Sequence, residues 1–414
     1  MQTYTVKTLG CKLNQYESNR IAAILRREGW KLLPFGDEAD HVIINTCTVT
    51  DSSDHKCRQY IRAGARSSRS GQVIVTGCLA NRARDDLLRM SEVAAVYSSD
   101  EMPLLIHTLT GHACREALGE LPVNRSRAQI KIQDGCDGEC AYCIIPAVRG
   151  VPQSRDPIEI VREAEYLIGS GFRELVLTGI TIGKYHQGDD DLASLLRRLV
   201  SLPGDFRIRV TSIEPVHVTP SLLELYRNPM ICPHIHLPLQ GGDDSTLRLM
   251  NRPYTTALYR ERVEALRAVN PDISIGTDVI VGFPGEGEEE FARSLSFVES
   301  IGYSYIHQFT FSPRTGTPAA SMEPTASHEQ VAARYKALKR VASVSRASYL
   351  SRFTGRILRC TIERRGDALF AVTPHYLRVR ISNPLQQIRS GEFAFVKILD
   401  THDNQIVGEL TPGL

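Results

Sequence analysis

At 414 residues the chain is longer than one compact core usually holds, which predicts two or three domains. Its 42% hydrophobic and 23% charged residues are those of a globular chain, and no apolar run approaches ~18 residues, which excludes a membrane-spanning helix. The net charge of +2 hides an asymmetry: residues 326–414 carry 14 Lys/Arg against 7 Asp/Glu, a balance of +7, leaving −5 for the first 325 residues. A basic C-terminal end suggests either a polyanionic partner, since Lys and Arg gain affinity by displacing phosphate counterions, or a solvated helix face with a few surface arginines.

The first ten residues lack a charged-then-apolar leader pattern and read as a strand, so a cytoplasmic protein is expected. In that reducing compartment the ten cysteines are expected as metal ligands, redox groups or buried thiols rather than disulfides. Residues 3–9, 41–45 and 72–76 read as strands, with helices over 15–28 and 53–65 between them. That alternation predicts a helix-covered parallel sheet within residues 1–115, followed by a polar linker at 111–127.

A second alternation fills residues 127–350, with strands expected at 128–133, 174–178, 207–211, 234–237, 274–281 and 303–311. Six repeats are too few for the eightfold barrel, so a partial (β/α)6 barrel is expected, with its chemistry at the carboxyl ends of the strands. A long basic helix over 328–350 precedes five short alternating runs in 351–414, which predict a small five-stranded β-barrel. The expected class is therefore α/β with an all-β C-terminal end.

The strongest local signal is Cys136-Asp-Gly-Glu-Cys140-Ala-Tyr-Cys143, which places three thiolates on one tight loop after the first barrel strand. Zinc wants four ligands and usually pairs two Cys-x2-Cys knuckles, and the sequence has no second knuckle. Three thiolates suit an iron–sulfur cube with one iron left open. Cys11, Cys47 and Cys78 each stand just past the carboxyl end of a different predicted strand of the first sheet. Strands lie ~4.8 Å apart, so these loop tops can converge on a second cluster; the alternative is three buried small hydrophobes. Cys57, Cys114, Cys232 and Cys360 lack such placement and read as ordinary thiols.

The cysteine loop, set between Ile132-Gln-Asp-Gly and Ile144-Ile-Pro, resembles the radical S-adenosylmethionine (SAM) enzymes and in particular their methylthiotransferase branch. The resemblance runs over nearly the whole chain. TLGCKLNQYES (8–18), NTCTVT (45–50) and VTGCLA (75–80) are similar to the family's N-terminal cluster segments. TSIEP (211–215), HLPLQGGDD (236–244), MNRPYT (250–255), GTDVIVGFPGE (276–286) and FSPRTGTPA (311–319) are similar to its barrel signatures. The C-terminal barrel resembles the RNA-binding TRAM domain. Departures occur at Ala147-Val148, at Gly241 where Ser is common, and at Leu79-Ala80-Asn81 in place of Tyr-Ala-Gln; none removes a cysteine.

The resemblance implies two 4Fe-4S clusters and SAM as cofactors. The cluster on Cys136, Cys140 and Cys143 would bind SAM and reduce it to a radical that abstracts hydrogen from carbon. The cluster on Cys11, Cys47 and Cys78 would hold the sulfur to be inserted, and a second SAM would methylate it. Thr178 and Gly179 are expected against the methionine moiety of SAM. Ser212 and Glu214 are candidates for its ribose or amino group, and Gln240 and Gly282 for the same barrel mouth. Arg149 and Arg155 are candidates for SAM or substrate phosphate, or else surface arginines.

Among the family's substrates, the Gly-Cys-Lys-Leu-Asn-Gln-Tyr-Glu and Thr-Cys-Thr-Val-Thr segments resemble the branch acting on N6-threonylcarbamoyladenosine (t6A) at tRNA position 37. The isopentenyladenosine branch reads more like Gly-Cys-Gln-Met-Asn, and the ribosomal-protein branch has a Pro-Lys pair absent here. The implied partners are a tRNA anticodon stem-loop, drawn by Lys56, Arg58, Arg62, Arg66, Arg69 and the basic C-terminal end, and an electron donor such as flavodoxin or ferredoxin. A metal-stapled RNA-binding protein and a two-cluster electron carrier are the non-catalytic alternatives.

Overall fold

A computed structural model describes residues 1–112, 126–366, 368–383, 388–401 and 405–412. Cys114 and most of the expected linker lie outside these residues. No helix among the described residues is long and apolar enough to cross a membrane.

The N-terminal unit is a five-stranded parallel sheet of β1 (Thr3–Thr8), β2 (Lys31–Leu32), β3 (His41–Thr46), β4 (Val73–Gly77) and β5 (Val93–Val96), in the order β2-β1-β3-β4-β5. β3 is central, and its run Val42-Ile43-Ile44 is buried because helices cover both faces of the sheet. Helix α1 (Lys12–Arg27) buries Leu13, Tyr16, Ile21, Ile24 and Leu25 on one stripe. Helix α2 (Asp51–Arg66) starts where the Thr50 side chain accepts from the Ser53 N–H, with Asp51 and Asp54 in its first turn. β5 and the short β2 escape the sequence pattern, being four and two residues long.

In the central unit β6 (Ala128–Lys131) leads into a ribbon of β7 (Gln133–Asp134) and β8 (Gln153–Ser154), and the cysteine loop lies between those two. β9 (Glu174–Thr178) is followed by a second ribbon, β10 (His186–Gln187) with β11 (Asp190–Asp191). β12 (Arg207–Val210), β13 (His234–His236), β14 (Ser274–Val281) and β15 (Tyr305–Thr310) complete a parallel wall in the order β6-β9-β12-β13-β14-β15. Bridges Ile208↔Ile231 and Ser212↔His236 join its two halves. Ile130, Leu175, Leu177, Ile208 and Val210 pack in the core shared with the covering helices, each burial contributing roughly 1.5–3 kcal/mol. Intervening positions such as Gln129 and Val176, paired across β6 and β9, face the lumen.

A long helix, His328–Ser351, is capped by Ser327 and Gln330 and leads to a closed barrel. That barrel joins β16 (Ile357–Arg365), β17 (Ala368–Val372), β18 (Arg378–Ile381), β19 (Phe393–Asp400) and β20 (Val407–Thr411) in the order β16-β17-β18-β20-β19. It docks on the amino end of the central wall through Arg207 and Arg209. Arg207 donates to Arg359 O, Thr361 Oγ1 and Val372 O, each at 2.9 Å, and Arg209 to Pro374 O (2.9 Å) and Thr373 O (3.2 Å). Both guanidiniums close on Glu174, each donating through Nε at 2.7 Å. Burial works against the Glu174 charge, but Arg209, Arg207 and Arg127 outweigh it and hold the carboxyl well below its usual range.

Part of the C-terminal positive charge is paired within the chain. Arg334 pairs with Glu286 and Glu288, Arg352 and Arg356 share Asp272, and Arg359 pairs with Asp205. On the N-terminal unit Arg69 pairs with Glu38 and Asp40, and Arg62 lies 3.7 Å from Glu92.

Candidate active site

The order β2-β1-β3-β4-β5 puts a topological switch point between β1 and β3, where open α/β sheets leave a ligand crevice. Cys11 follows β1, Cys47 follows β3, and Cys78 follows β4. Asn14, fully buried in the first turn of α1, binds these loop tops together. Its Nδ2 donates to Leu9 O (3.0 Å) and Thr46 O (2.8 Å), and its Oδ1 lies 3.5 Å from the Cys11 Sγ and 4.0 Å from the Cys78 Sγ. Cys57 is buried and brackets Cys47, accepting from its N–H and donating to its carbonyl, both at 3.3 Å. The close approach needs glycine. Gly10 and Gly77 precede Cys11 and Cys78 at φ +101° and +93°; a Cβ would meet Cys47 Cβ at 2.9 Å and Asn45 Oδ1 at 2.3 Å, respectively.

Arg149 enters this group from the central unit. Its side chain is wholly buried, with Nε donating to Cys78 Sγ (3.2 Å), Nη2 to Asn14 Oδ1 (2.8 Å) and Nη1 to Glu17 Oε1 (2.5 Å). Burial opposes its charge, but Glu17 and the Cys78 sulfur overcome that and keep it protonated. Burial pushes the Cys78 thiol up to about 12 against the pull of Arg149.

The second triad lies on one loop. Cys136 N–H donates to Gly150 O (2.9 Å), closing the loop at its base, and Cys136 Sγ accepts from Gly138 N–H (3.2 Å). Segment 250–252 and the 3-10 turn at Pro318–Ser321 clamp the outside: Ala141 N–H donates to Met250 O (3.0 Å), Ala319 N–H to Ala141 O (2.8 Å), and Asn251 Nδ2 to Glu139 O (2.8 Å). Arg252 donates to Cys140 Sγ at 2.8 Å, pairs with Glu214 and reaches Tyr254 Oη at 3.0 Å. Burial raises Cys140 while Arg252 draws it back, and burial pushes Cys143 up to about 12.

The expected cofactor residues lie at the carboxyl ends of the barrel strands. Thr178 O accepts from Ile132 N–H (2.9 Å), and Gly179 packs so closely on Gln133 that a Cβ would sit 2.6 Å from its carbonyl. Ser212 bridges His236; Gln240, at φ +66°, donates its N–H to Asp278 O (2.8 Å); Gly282 donates to Glu286 Oε2 (2.7 Å). Glu214 is held by Arg252. Arg149 and Arg155 are placed otherwise than expected. Arg155 donates to Glu163 (2.6 Å) and Lys131 O (2.7 Å) and lies 3.2 Å from Tyr16 Oη. Arg149 ties the central unit to the N-terminal one through Glu17 and Asn14, and Arg155, paired with Glu163 of its own unit, reaches the N-terminal one through Tyr16.

Inside the lumen His236 Nε2 and His307 Nδ1 lie 3.1 and 3.2 Å from the two Asp278 oxygens. Burial works against the Asp278 charge, but His236 and His307 hold the carboxyl well below its usual range. Tyr305 Oη contacts His234 (3.1 Å) and His236 (3.2 Å). Tyr376, at φ +66° on the C-terminal barrel, lies over His234 with ring centroids 4.7 Å apart.

The chain is similar to known proteins over nearly its whole length. The profile of the Radical SAM superfamily matches residues 130–298, and that described as Uncharacterized protein family UPF0004 matches residues 3–98. The threonylcarbamoyladenosine tRNA methylthiotransferase MtaB of Thermotoga maritima is 33% identical over 98% of this chain and 96% of its own. The chain belongs to the radical SAM methylthiotransferase family. The tRNA-2-methylthio-N(6)-dimethylallyladenosine synthase of Geobacter metallireducens is 34% identical over 98% of this chain and 97% of its own. The radical SAM methyltransferase TsrM of Kitasatospora setae shares the fold over 77% of each chain, at a TM-score of 0.57 and 14% identity. In this methylthiotransferase the residues that sequence reading passed over are Asn14, Glu17 and Arg252. One signal for the site was available: Gly10-Cys11, Gly77-Cys78 and Gly135-Cys136 repeat one dipeptide, with all three glycines at positive φ.

Proposed function

We propose that this methylthiotransferase adds a methylthio group at C2 of t6A at position 37 of tRNA, with two 4Fe-4S clusters and SAM. The observation that carries the reading is a pair of three-cysteine groups, each beside one buried arginine, with Arg149 spanning from the helix after one triad to Cys78 of the other. Cys136, Cys140 and Cys143 would hold the SAM-binding cluster, and Cys11, Cys47 and Cys78 the auxiliary one. The donor sets fit: three sulfurs each suit a cube with an open iron, and a guanidinium offsets the negative charge of thiolate ligation. When bound, these groups supply the electron, the carbon-centred radical, the sulfur and the methyl group.

The chain's own residues do the rest. The six thiols give up their protons on metal loading, and Arg149 and Arg252 stabilise the resulting thiolates at Cys78 and Cys140. Thr178, Gly179, Ser212, Gln240 and Gly282 orient SAM at the barrel rim, with Glu214 fixed by Arg252. The lumen holds the flipped adenine with C2 between the triads and excludes water. Residues 1–115 form the auxiliary-cluster domain, 127–350 the radical SAM barrel and 351–414 a TRAM-like RNA-binding barrel. The anticodon stem-loop binds across the basic seam, and a flavodoxin or ferredoxin delivers electrons. Segments 10–17 and 46–50 support t6A over isopentenyladenosine. The identity to the Geobacter enzyme keeps the latter as the second reading.

Nucleoside mass spectrometry of tRNA from cells lacking the gene, with and without complementation, tests the substrate. Complementation is expected to yield 2-methylthio-t6A, and the Cys140→Ala variant none. A methylthio gain on isopentenyladenosine instead establishes the second reading, and no gain on any tRNA nucleoside overturns both.

A further inference from the structure

The seam where the three units meet holds a cavity of about 510 Å³, with Lys12, Gln15, Arg127, Gln129, Tyr376 and Arg378 among its walls. Its charge is one-sided: among the described residues Lys12, Arg127, Arg364, Arg365 and Arg378 share its walls with one carboxylate, Glu363. That carboxylate is already committed to Arg127 (2.8 Å), Arg378 (3.3 Å) and the Ser126 hydroxyl (3.0 Å). Lys12 immediately follows Cys11. Among the described residues its ammonium has no carboxylate at ion-pair distance, and it lies 5.4 Å from the Tyr376 ring centroid. The Tyr376 ring is also faced by Arg209 (4.9 Å) and Arg127 (5.4 Å).

A second unsatisfied group stands in the same wall. Gln129 donates through Nε2 to Gln15 Oε1 (3.0 Å), but among the described residues its own buried Oε1 has no donor. Among the described residues, a half-buried cation without a carboxylate partner and a buried acceptor without a donor each leave free energy to be recovered by a ligand that supplies both. The threonylcarbamoyl group carries a carboxylate, a hydroxyl and ureido N–H donors; an isopentenyl group carries none of these.

We propose that Lys12 binds the carboxylate of the threonylcarbamoyl side chain, with Gln129 Oε1 accepting from its hydroxyl or ureido N–H, and that this pair selects the substrate. The proposal rests on the reading of t6A as substrate. Selection works in both directions: the anionic side chain gains a charge-assisted contact, and an apolar one would bury Lys12 against hydrocarbon with its charge uncompensated. The same ammonium facing a backbone phosphate would be an equally good ion pair but would not read the side chain.

The test is equilibrium binding of the full chain, with clusters reconstituted anaerobically, to four synthetic anticodon stem-loops. These carry adenosine, t6A, the t6A methyl ester or N6-isopentenyladenosine at position 37. The wild type is expected to bind the t6A loop about tenfold more tightly than the ester or unmodified loops. Lys12→Gln should reduce that preference to within about twofold, leaving affinity for the unmodified loop in place, and Lys12→Arg should restore it. Equal weakening of all four loops by Lys12→Gln assigns the ammonium to a phosphate and overturns the proposal, as does a t6A preference that survives the change. Should Lys12→Gln also lower bound iron, Gln129→Leu decides: loss of about threefold on the t6A loop alone supports the pocket, and no loss overturns it. A wild type that prefers the isopentenyl loop sinks the substrate reading itself, a result distinct from either failure of Lys12.

Discussion

The two cysteine triads make the same chemical offer by opposite constructions. Cys136, Cys140 and Cys143 lie within eight residues on one partly exposed loop, and the surrounding chain clamps that loop through Met250, Asn251 and Arg252. Cys11, Cys47 and Cys78 come from three strand ends, and the two buried ones owe their placement to Asn14 and to glycines that admit the close approach. Yet each group receives one buried guanidinium on one sulfur, and each guanidinium is anchored by a carboxylate: Glu214 for Arg252 and Glu17 for Arg149. The loop triad is thus a local structure with external support. The dispersed triad is a tertiary structure with no local existence, and damage to the fold should reach it first.

The largest test removes one ligand from each. Cys140→Ala and Cys78→Ala should each lower bound iron by about four atoms per chain and remove the methylthio nucleoside, as read by iron analysis and mass spectrometry. They should differ in one respect: SAM cleavage to 5′-deoxyadenosine should persist in Cys78→Ala and vanish in Cys140→Ala. Equal loss of cleavage in both would break the division of labour between the triads.

Next in size are the arginines. Arg149→Met strands Glu17 in the buried interface and is expected to cost about 3 kcal/mol in denaturant unfolding of the metal-free protein. Arg252→Met should cost less, about 1 kcal/mol, because the Glu214 side chain keeps 26% of its exposure and can be hydrated. The reverse order would contradict the contrast drawn between the two sites. Gly77→Ala forces a left-handed φ and a clash with the Thr46 carbonyl at 2.5 Å; a loss of about 2 kcal/mol is expected, with iron lost from the dispersed site before the loop site.

The smallest effect belongs to the loop clamp. Asp243 caps the helix Asp244–Leu249 that leads into Met250 and Arg252, accepting from the Ser245 and Thr246 N–H groups at 3.0 Å. Burial works against its charge, but hydrogen bonds from Ser245 and Arg293 prevail and hold its pKa at about 2, below the ordinary 3.8. Because the folded value is the lower one, this stabilisation is complete above pH ~4 and lost as the pH falls through about 2. Melting curves between pH 2 and 5 should show that component in the wild type and not in Asp243→Asn.

How much of this was legible follows the same division. The Cys-x3-Cys-x2-Cys loop, the six barrel strands and the five-stranded terminal barrel could be read directly, because spacing, periodicity and turn residues are properties of short stretches. Cys11, Cys47 and Cys78 could be proposed as a group because strand ends are legible and neighbouring parallel strands bring their loops together. The roles of Arg149 and Arg155 could not. An arginine after a cofactor loop looks like a ligand contact, and only packing shows that Glu17 and Glu163 lie opposite it. Arg252 went unnoticed because its partners, Cys140 and Glu214, are 112 and 38 residues away. The sequence by itself determined which side chains can ligate and which of the longer segments are strands. The tertiary structure alone decided which charges meet and that Lys12 lines the seam cavity. Ion pairs between distant segments depend on burial and on the last few ångströms of approach, and neither is written in local pattern.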